Sequence, residues 1–250
     1  MRLVANYILL VFEGEKTERL IFNSFTKYFL NESENTVIFS VYCCEIYSLF
    51  HKLSNDPFLE LFYFLKEQPQ NSDLLKDVTL SEVSETYLFF DYDGHAPAAT
   101  DIKLKAMLEH FDEETENGKL YISYPMVEAI RHLSPDVKFE NTIVNGKSVI
   151  KYKNIVHNEG VHYLRNLAEL SFENWQYIIE EHCKKTNHLM CNTYELPTSY
   201  ISQLQIFNAQ KQKHIDVNEK VAVLSAFPTF IADYYGYAKL PDLLNKHPEK

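Results

Sequence analysis

Residues 87–95 read Tyr-Leu-Phe-Phe-Asp-Tyr-Asp-Gly-His, and this stretch restricts the folds open to the chain more than any other. An apolar run without alternation reads as a strand covered on both faces, as in parallel α/β sheets. Side chains alternate along a strand, so Asp91 and Asp93 are expected to project from one side where it ends. Two like charges about 5 Å apart repel by roughly 3 kcal/mol at an effective dielectric of about 20. A bound cation or a shared proton would offset that repulsion. The carboxyl ends of strands in open α/β sheets are also where ligands bind. Mg2+ suits such a place, because it takes one or two carboxylates and fills its remaining positions with water and phosphate oxygens. A metal site is the expectation here; the competing reading is an Asp-x-Asp-Gly turn that caps the next helix.

A second buried strand is expected from Asn6 to Phe12, running into Glu13-Gly14-Glu15-Lys16-Thr17-Glu18. From Arg19 to Phe29, Leu20, Phe22, Phe25 and Phe29 recur at helical spacing. A carboxylate again follows a strand, a glycine permits a sharp turn, and a helix begins. Lys16 and the first helical amides point where a phosphate would lie. Glu15 reads as an acid on the helix dipole, whereas Glu13, the first polar residue after the strand, is a functional candidate.

Thr36 to Cys44 forms the third expected strand. Ile46 to Leu65 is apolar at helical spacing and is broken at Asp56-Pro57, which places a helical insertion at about 46–82. A helix from about Asp101 to Glu114 follows the Asp-rich strand, and Leu120 to Tyr124 reads as a further strand closed by Pro125. A helix opened by Pro125 and running through Arg131 puts Glu128 just past a strand end. It is a third site carboxylate or an ordinary acid at a helix start, and the sequence leaves both open.

Beyond residue 134 the pattern changes. Phe139 to Val144 and Lys147 to Tyr152 flank Asn145-Gly146, the signal of a two-residue hairpin. Helices are expected over about Gly160–Lys184, Ser199–Lys213 and Glu219–Tyr235, the last interrupted by Pro228 and stopped by Gly236. Phe227, Phe230, Ile231, Tyr234 and Tyr235 recur at helical spacing and read as core, not as a base-stacking surface. His182, Cys183, His188 and Cys191 lack a Cys-x-x-Cys knuckle, so buried cysteines at a helix end are favoured over zinc. The expected organisation is an α/β metal-binding domain at 1–134, then a hairpin and a mainly helical region at 135–250.

Composition narrows the function. The apolar share of 46% describes a globular chain, and four cysteines, two of them adjacent, make no disulfide framework. No stretch reaches transmembrane length and the start lacks the features of a signal peptide, so a cytoplasmic protein without a membrane partner is expected. Twenty-four basic residues against 35 acidic ones leave a net charge of −11. That argues against a protein that coats nucleic acid non-specifically through phosphate neutralisation. It leaves open an acidic enzyme that reaches nucleic acid through metal.

The order strand–Glu13–Gly14–helix, strand, then strand–Asp91–x–Asp93 resembles the Toprim fold, a Rossmann-like, mostly parallel sheet flanked by helices. The wording Glu-Gly-Glu-Lys-Thr-Glu is similar to that of small Toprim nucleases of bacterial anti-phage systems. Among these are RloB-like proteins, the Toprim (AriB) subunit of the PARIS system and the Toprim domain of OLD nucleases. The resemblance covers roughly Ile8 to Arg131. It implies Mg2+ or Mn2+ held by Glu13, Asp91 and Asp93, with Glu128 as a looser match, and Lys16 beside the substrate phosphate. It further implies hydrolysis of DNA or RNA, tRNA included, under control of an ATPase partner or of self-association in a homodimer. Asp91-Tyr92-Asp93-Gly94 also resembles the Asp-x-Asp-Gly start of haloacid-dehalogenase-type phosphatases, in which the first Asp is the nucleophile. Against that reading, the motif lies on an internal strand and His95 replaces the usual Thr or Val. A third reading is a Toprim-like module that binds a partner without catalysis.

Overall fold

The computed structural model describes residues 6–30, 36–56 and 58–245. It is an α/β fold. The chain divides into two compact units, one comprising residues 1–90 and 100–120, the other 91–99 and 121–250.

In the first unit, β1 (Asn6–Phe12) is buried from Ile8 onward without alternation, which is why its sequence carries no polar face. It pairs in parallel with β2 (Thr36–Tyr42), and on its other side with β3 (Val83–Asp91), where Phe12 stands opposite Phe89. Their rings stack with centroids 5.3 Å apart. Between β1 and β2 runs α1 (Thr17–Phe29), which buries Ile21, Phe25 and Phe29 and leaves Leu20 outside. The insertion holds α2 (Ile46–Asn55), α3 (Leu61–Lys66) and α4 (Ser72–Leu75). Helices therefore stand on both sides of the expected break at Asp56-Pro57, and Pro57 itself lies outside the described residues. Asn71, fully buried, anchors the insertion by pairing like a strand residue. Its side chain accepts from the Tyr42 amide and donates to the Tyr42 and Leu65 carbonyls, each at 2.8 Å.

After β3 come α5 (Asp101–His110), β4 (Asp112–Glu113) and β5 (Gly118–Ser123). The helix ends at His110, earlier than the sequence suggested, because Asp112 and Glu113 turn back to pair antiparallel with β5. The full sheet runs β2-β1-β3-β5-β4.

The second unit corrects several expectations. Asn145-Gly146 does not close a hairpin. Asn145 Oδ1 instead accepts the amides of Lys147 and Ser148, forming a local side-chain turn. Residues 143–145 form β6 (Ile143–Asn145), which pairs antiparallel with β7 (Lys220–Ala222), 75 residues on, and not with 147–152. At Tyr152 the chain enters α6 (Tyr152–Glu159). Gly160 closes that helix; it does not open the next. A Cβ there would lie 2.7 Å from the carbonyl oxygens of both Arg131 and Val156. The long helix starts later, as α7 (Phe172–Cys191), where Ser171 and Asn174 form a reciprocal cap. It is followed by α8 (Gln203–Gln210), a π-helical turn over 211–215, and α9 (Asp216–Asn218). Gln210 then exchanges two 2.8 Å hydrogen bonds with the backbone of Ala222, acting as a strand neighbour for β7.

The last helices are α10 (Ala226–Tyr235) and α11 (Leu240–Asn245). Pro228 does not interrupt α10. It occupies the first turn, where its missing N–H has no intrahelical partner to lose. The helix is buried at Phe227, Phe230 and Ile231 and packs on α7, which leaves Tyr234 alone of that apolar set 39% exposed. No helix among the described residues is long and apolar enough to cross a membrane.

Candidate functional site

Three of the five residues singled out by the sequence, Asp91, Asp93 and Glu128, belong to the second unit. Glu13 and Lys16 belong to the first. Asp91 is the last residue of β3 and is 9% exposed. The ladder continues past it: the Tyr92 amide donates to the Ser123 carbonyl at 2.9 Å and the Asp93 amide to the Pro125 carbonyl at 3.2 Å. Asp93 itself has left the strand, with φ of 39° in the left-handed region. Strand alternation therefore does not set the direction of its side chain, and the reasoning that placed the two carboxylates on one side fails at this residue.

Nor does the motif cap a helix. The cap of α5 is Thr100, whose hydroxyl accepts the Lys103 amide at 3.2 Å. The Asp93 carbonyl instead accepts from the Ala96 amide at 2.8 Å, which closes a tight turn. Gly94 makes that turn possible for a steric reason. A Cβ on it would stand 2.4 Å from the Tyr92 ring and 2.6 Å from the Gly146 carbonyl oxygen. The His95 ring then comes to 3.9 Å from the Asp93 carboxylate.

Glu128 lies in a 3-10 turn, Val127–Arg131, where an α-helix was expected. It is only 2% exposed, and a buried carboxylate needs a partner. Lys153 of α6 supplies one, its ammonium 3.1 Å from Oε1, while Oε2 is buried without a hydrogen bond among the described residues. One residue earlier, the Tyr152 hydroxyl meets His132 Nδ1 at 3.0 Å, and His132 Nε2 meets Glu159 at 3.0 Å. Burial holds the Tyr152 phenol well above its ordinary pKa, and the negative charges of Glu128, Glu159 and Asp91 add to that, against Arg131. Tyr152 is thus a neutral hydroxyl. His132 is pushed down by burial, with Glu159 opposing.

A cavity of about 330 Å³ opens beside these groups, within the size range of ligand sites. Asp93, His95, Ser148, Lys151, Tyr152 and Lys153 contribute to its wall. Lys147 stands over the Tyr92 ring at 5.3 Å. The sequence reading missed Lys151, Lys153, Tyr152, His132 and Glu159. A signal is present, three lysines within residues 147–153, on the segment that reads as the second arm of a hairpin.

In the first unit, Glu13 follows β1 half-exposed, and Lys16 is the exposed cap residue of α1. The amide of Cys43, just past β2, donates to the Phe12 carbonyl at 2.8 Å. A hydrogen bond to the Cys44 thiolate from Cys43 pulls Cys44 down to about 7, whereas Cys43 is driven up by that same pairing and by burial. All four cysteines are free thiols. His182 and Cys183 are buried on α7 while Cys191 is exposed and donates back to its own helix at Asn187, so this set does not converge.

Among the described residues, no three His, Cys, Asp or Glu side chains gather into a group able to hold a metal ion. No protein-family model, curated protein or solved structure matches the chain.

Proposed function

We propose that the chain is a metal-dependent phosphodiesterase, a nuclease acting on DNA or RNA, with its chemistry centred on Asp91, Asp93 and Glu128. The observation that carries this reading is a cavity walled by Asp93, Lys151 and Lys153, with Lys153 also paired to the buried Glu128 at 3.1 Å. A phosphodiester needs that combination, cationic groups for its oxygens and carboxylates for a cation. The donor set fits a hard ion. Asp91 and Asp93 offer oxygen alone, and Mg2+ or Mn2+ is content with one or two carboxylates when water and phosphate supply the rest. When bound, such an ion stabilises charge on the phosphoryl group and the leaving oxygen.

The chain's own residues have distinct parts. Asp91 and Asp93 are the residues that would hold the ion. Lys153, 65% exposed at its side chain, neutralises Glu128 and can reach a non-bridging oxygen. Lys151 adds a second positive charge at the wall, and His95 stands there beside Asp93. Tyr152, kept neutral, donates or accepts hydrogen bonds but does not act as a phenolate. Glu13 and Lys16 keep the roles that the Toprim resemblance implies, as do the ATPase partner and the homodimer. With a net charge of −11, the isolated chain holds long nucleic acid weakly at physiological salt, which is why a partner surface is part of the proposal.

The test is incubation of purified chain with Mg2+ or Mn2+ and plasmid, single-stranded DNA and tRNA, beside Asp91→Asn/Asp93→Asn and Glu13→Ala variants. Metal binding is followed by calorimetry in parallel. Cleavage lost in both variants, with metal affinity lost in the double variant, supports the reading. Unchanged metal affinity removes the site. Robust turnover of p-nitrophenyl phosphate that survives Glu13→Ala reassigns the chain to the phosphatases.

A further inference from the structure

The first unit contains a larger cavity, about 840 Å³, that takes no wall from any of the site residues above. It is bounded by the end of α2 and the segment leading to α3, by α3 itself, by Val83–Thr86 at the start of β3, by the end of α5, and by residues 114–117. Glu13 and Cys43 follow the carboxyl ends of the parallel strands β1 and β2, whereas this cavity borders the start of β3, so it is a separate place in the same unit.

Its walls are of two kinds. Leu53, Phe62, Leu65, Met107 and Phe111 make an apolar floor. Phe58 at the wall is 92% exposed, which leaves a large ring in water. The polar part is one-sided. Asp56, Glu60, Glu85, Glu114 and Glu116 line the cavity, with His110, and no Lys or Arg among the described residues does. Glu114 is neutralised by Lys119 at 3.3 Å, Glu85 accepts from the Tyr87 hydroxyl at 2.8 Å, and Asp56 accepts the Phe58 amide at 3.0 Å. Glu60 and Glu116 make no ion pair or side-chain hydrogen bond among the described residues.

We infer that this cavity docks a basic segment of a partner protein, one that carries Leu- or Phe-sized anchors between Lys or Arg residues. The anchors fill the floor and cover Phe58, and the cations meet Glu60 and Glu116. The volume exceeds what a single side chain occupies, so a stretch of chain fits better than one residue. Nucleic acid is repelled by this one-sided acidic wall. A metal ion finds no group of three donors here among the described residues. A second copy of this acidic chain brings like charge, and a polyamine brings charge without apolar bulk.

The probe is a short fluorescent peptide of alternating Lys and Leu pairs, titrated into the full chain and followed by anisotropy. Controls replace Lys by Glu, or Leu by Ser, and spermidine serves as competitor. The Lys/Leu peptide is expected to bind and the controls to fail. Glu60→Gln/Glu116→Gln is expected to weaken binding by at least about fivefold. Ala106→Trp, which fills the cavity from α5, is expected to abolish it. Circular dichroism and thermal unfolding of both variants check that they fold. Binding unchanged in both folded variants overturns the assignment. Equal binding of the Lys/Ser peptide, or displacement by equimolar spermidine, also overturns it, because the attraction would then be general to an acidic surface.

Discussion

His182 offers the sharpest test of how the second unit is held together. It is fully buried on α7, its ring 4.7 Å from Phe139, and its Nδ1 accepts the Ser225 amide at 3.1 Å. An acceptor nitrogen carries no proton, so the fold requires the neutral imidazole. Burial first, and then the charge of Lys185, pull its pKa from 6.5 to about 3, with the Ile130 backbone opposing and His132 adding a small push. Lys185 is itself buried, donates to the Thr142 carbonyl, and is pulled well below its usual value. The folded pKa of His182 is depressed, so its contribution is present above pH 6.5 and is lost as pH falls toward 3. Integrating the linkage between pH 7.5 and pH 5 gives a loss of about 2 kcal/mol from this residue alone. In His182→Phe the ring packing is kept, the Ser225 amide loses its acceptor, and stability falls by about 1–3 kcal/mol at neutral pH. The variant lacks the titration, so the gap between wild type and variant should shrink by about 2 kcal/mol from pH 7.5 to pH 5. Urea unfolding followed by Trp175, the single tryptophan and fully buried in the same unit, reads this directly. A gap constant to within about 0.5 kcal/mol across that range would refute the buried neutral imidazole.

Two further outcomes follow from close geometry elsewhere. Gly94→Ala drives a methyl into the Tyr92 ring and the Gly146 carbonyl, so it should cost about 1–3 kcal/mol in urea unfolding, and a loss under about 0.5 kcal/mol would show that the turn yields freely. Cys44, held near 7, should alkylate with iodoacetamide at pH 7.5 well before Cys43 or the buried Cys183, as read by peptide mass spectrometry; equal labelling of Cys43 and Cys44 would contradict the assigned thiol pairing.

Much of the first unit could be read from the chain because its signals are local. Strands buried on both faces must be apolar throughout, and Ile8–Phe12 and Tyr87–Phe90 announce themselves that way. The paired helices of the insertion, the stop at Gly236 and the acids that follow the strands are equally local. The parallel α/β sheet was legible from the order of these pieces.

The second unit was decided by partners far away in sequence. Asn145-Gly146 offers a hairpin, but the Asn145 side chain satisfies the following amides itself, and β6 finds its strand partner at Lys220–Ala222. Gly160 looks like a helix start until the Arg131 carbonyl is seen to occupy the space of its missing Cβ. The acids at the site were visible in the sequence; the lysine that neutralises Glu128 was not, because it sits 25 residues on and meets it only when α6 folds back over residues 127–131. Hydrophobic period and turn chemistry act over a few residues and are written in order along the chain. Burial of a charge is settled only by whatever the completed fold brings within hydrogen-bond reach.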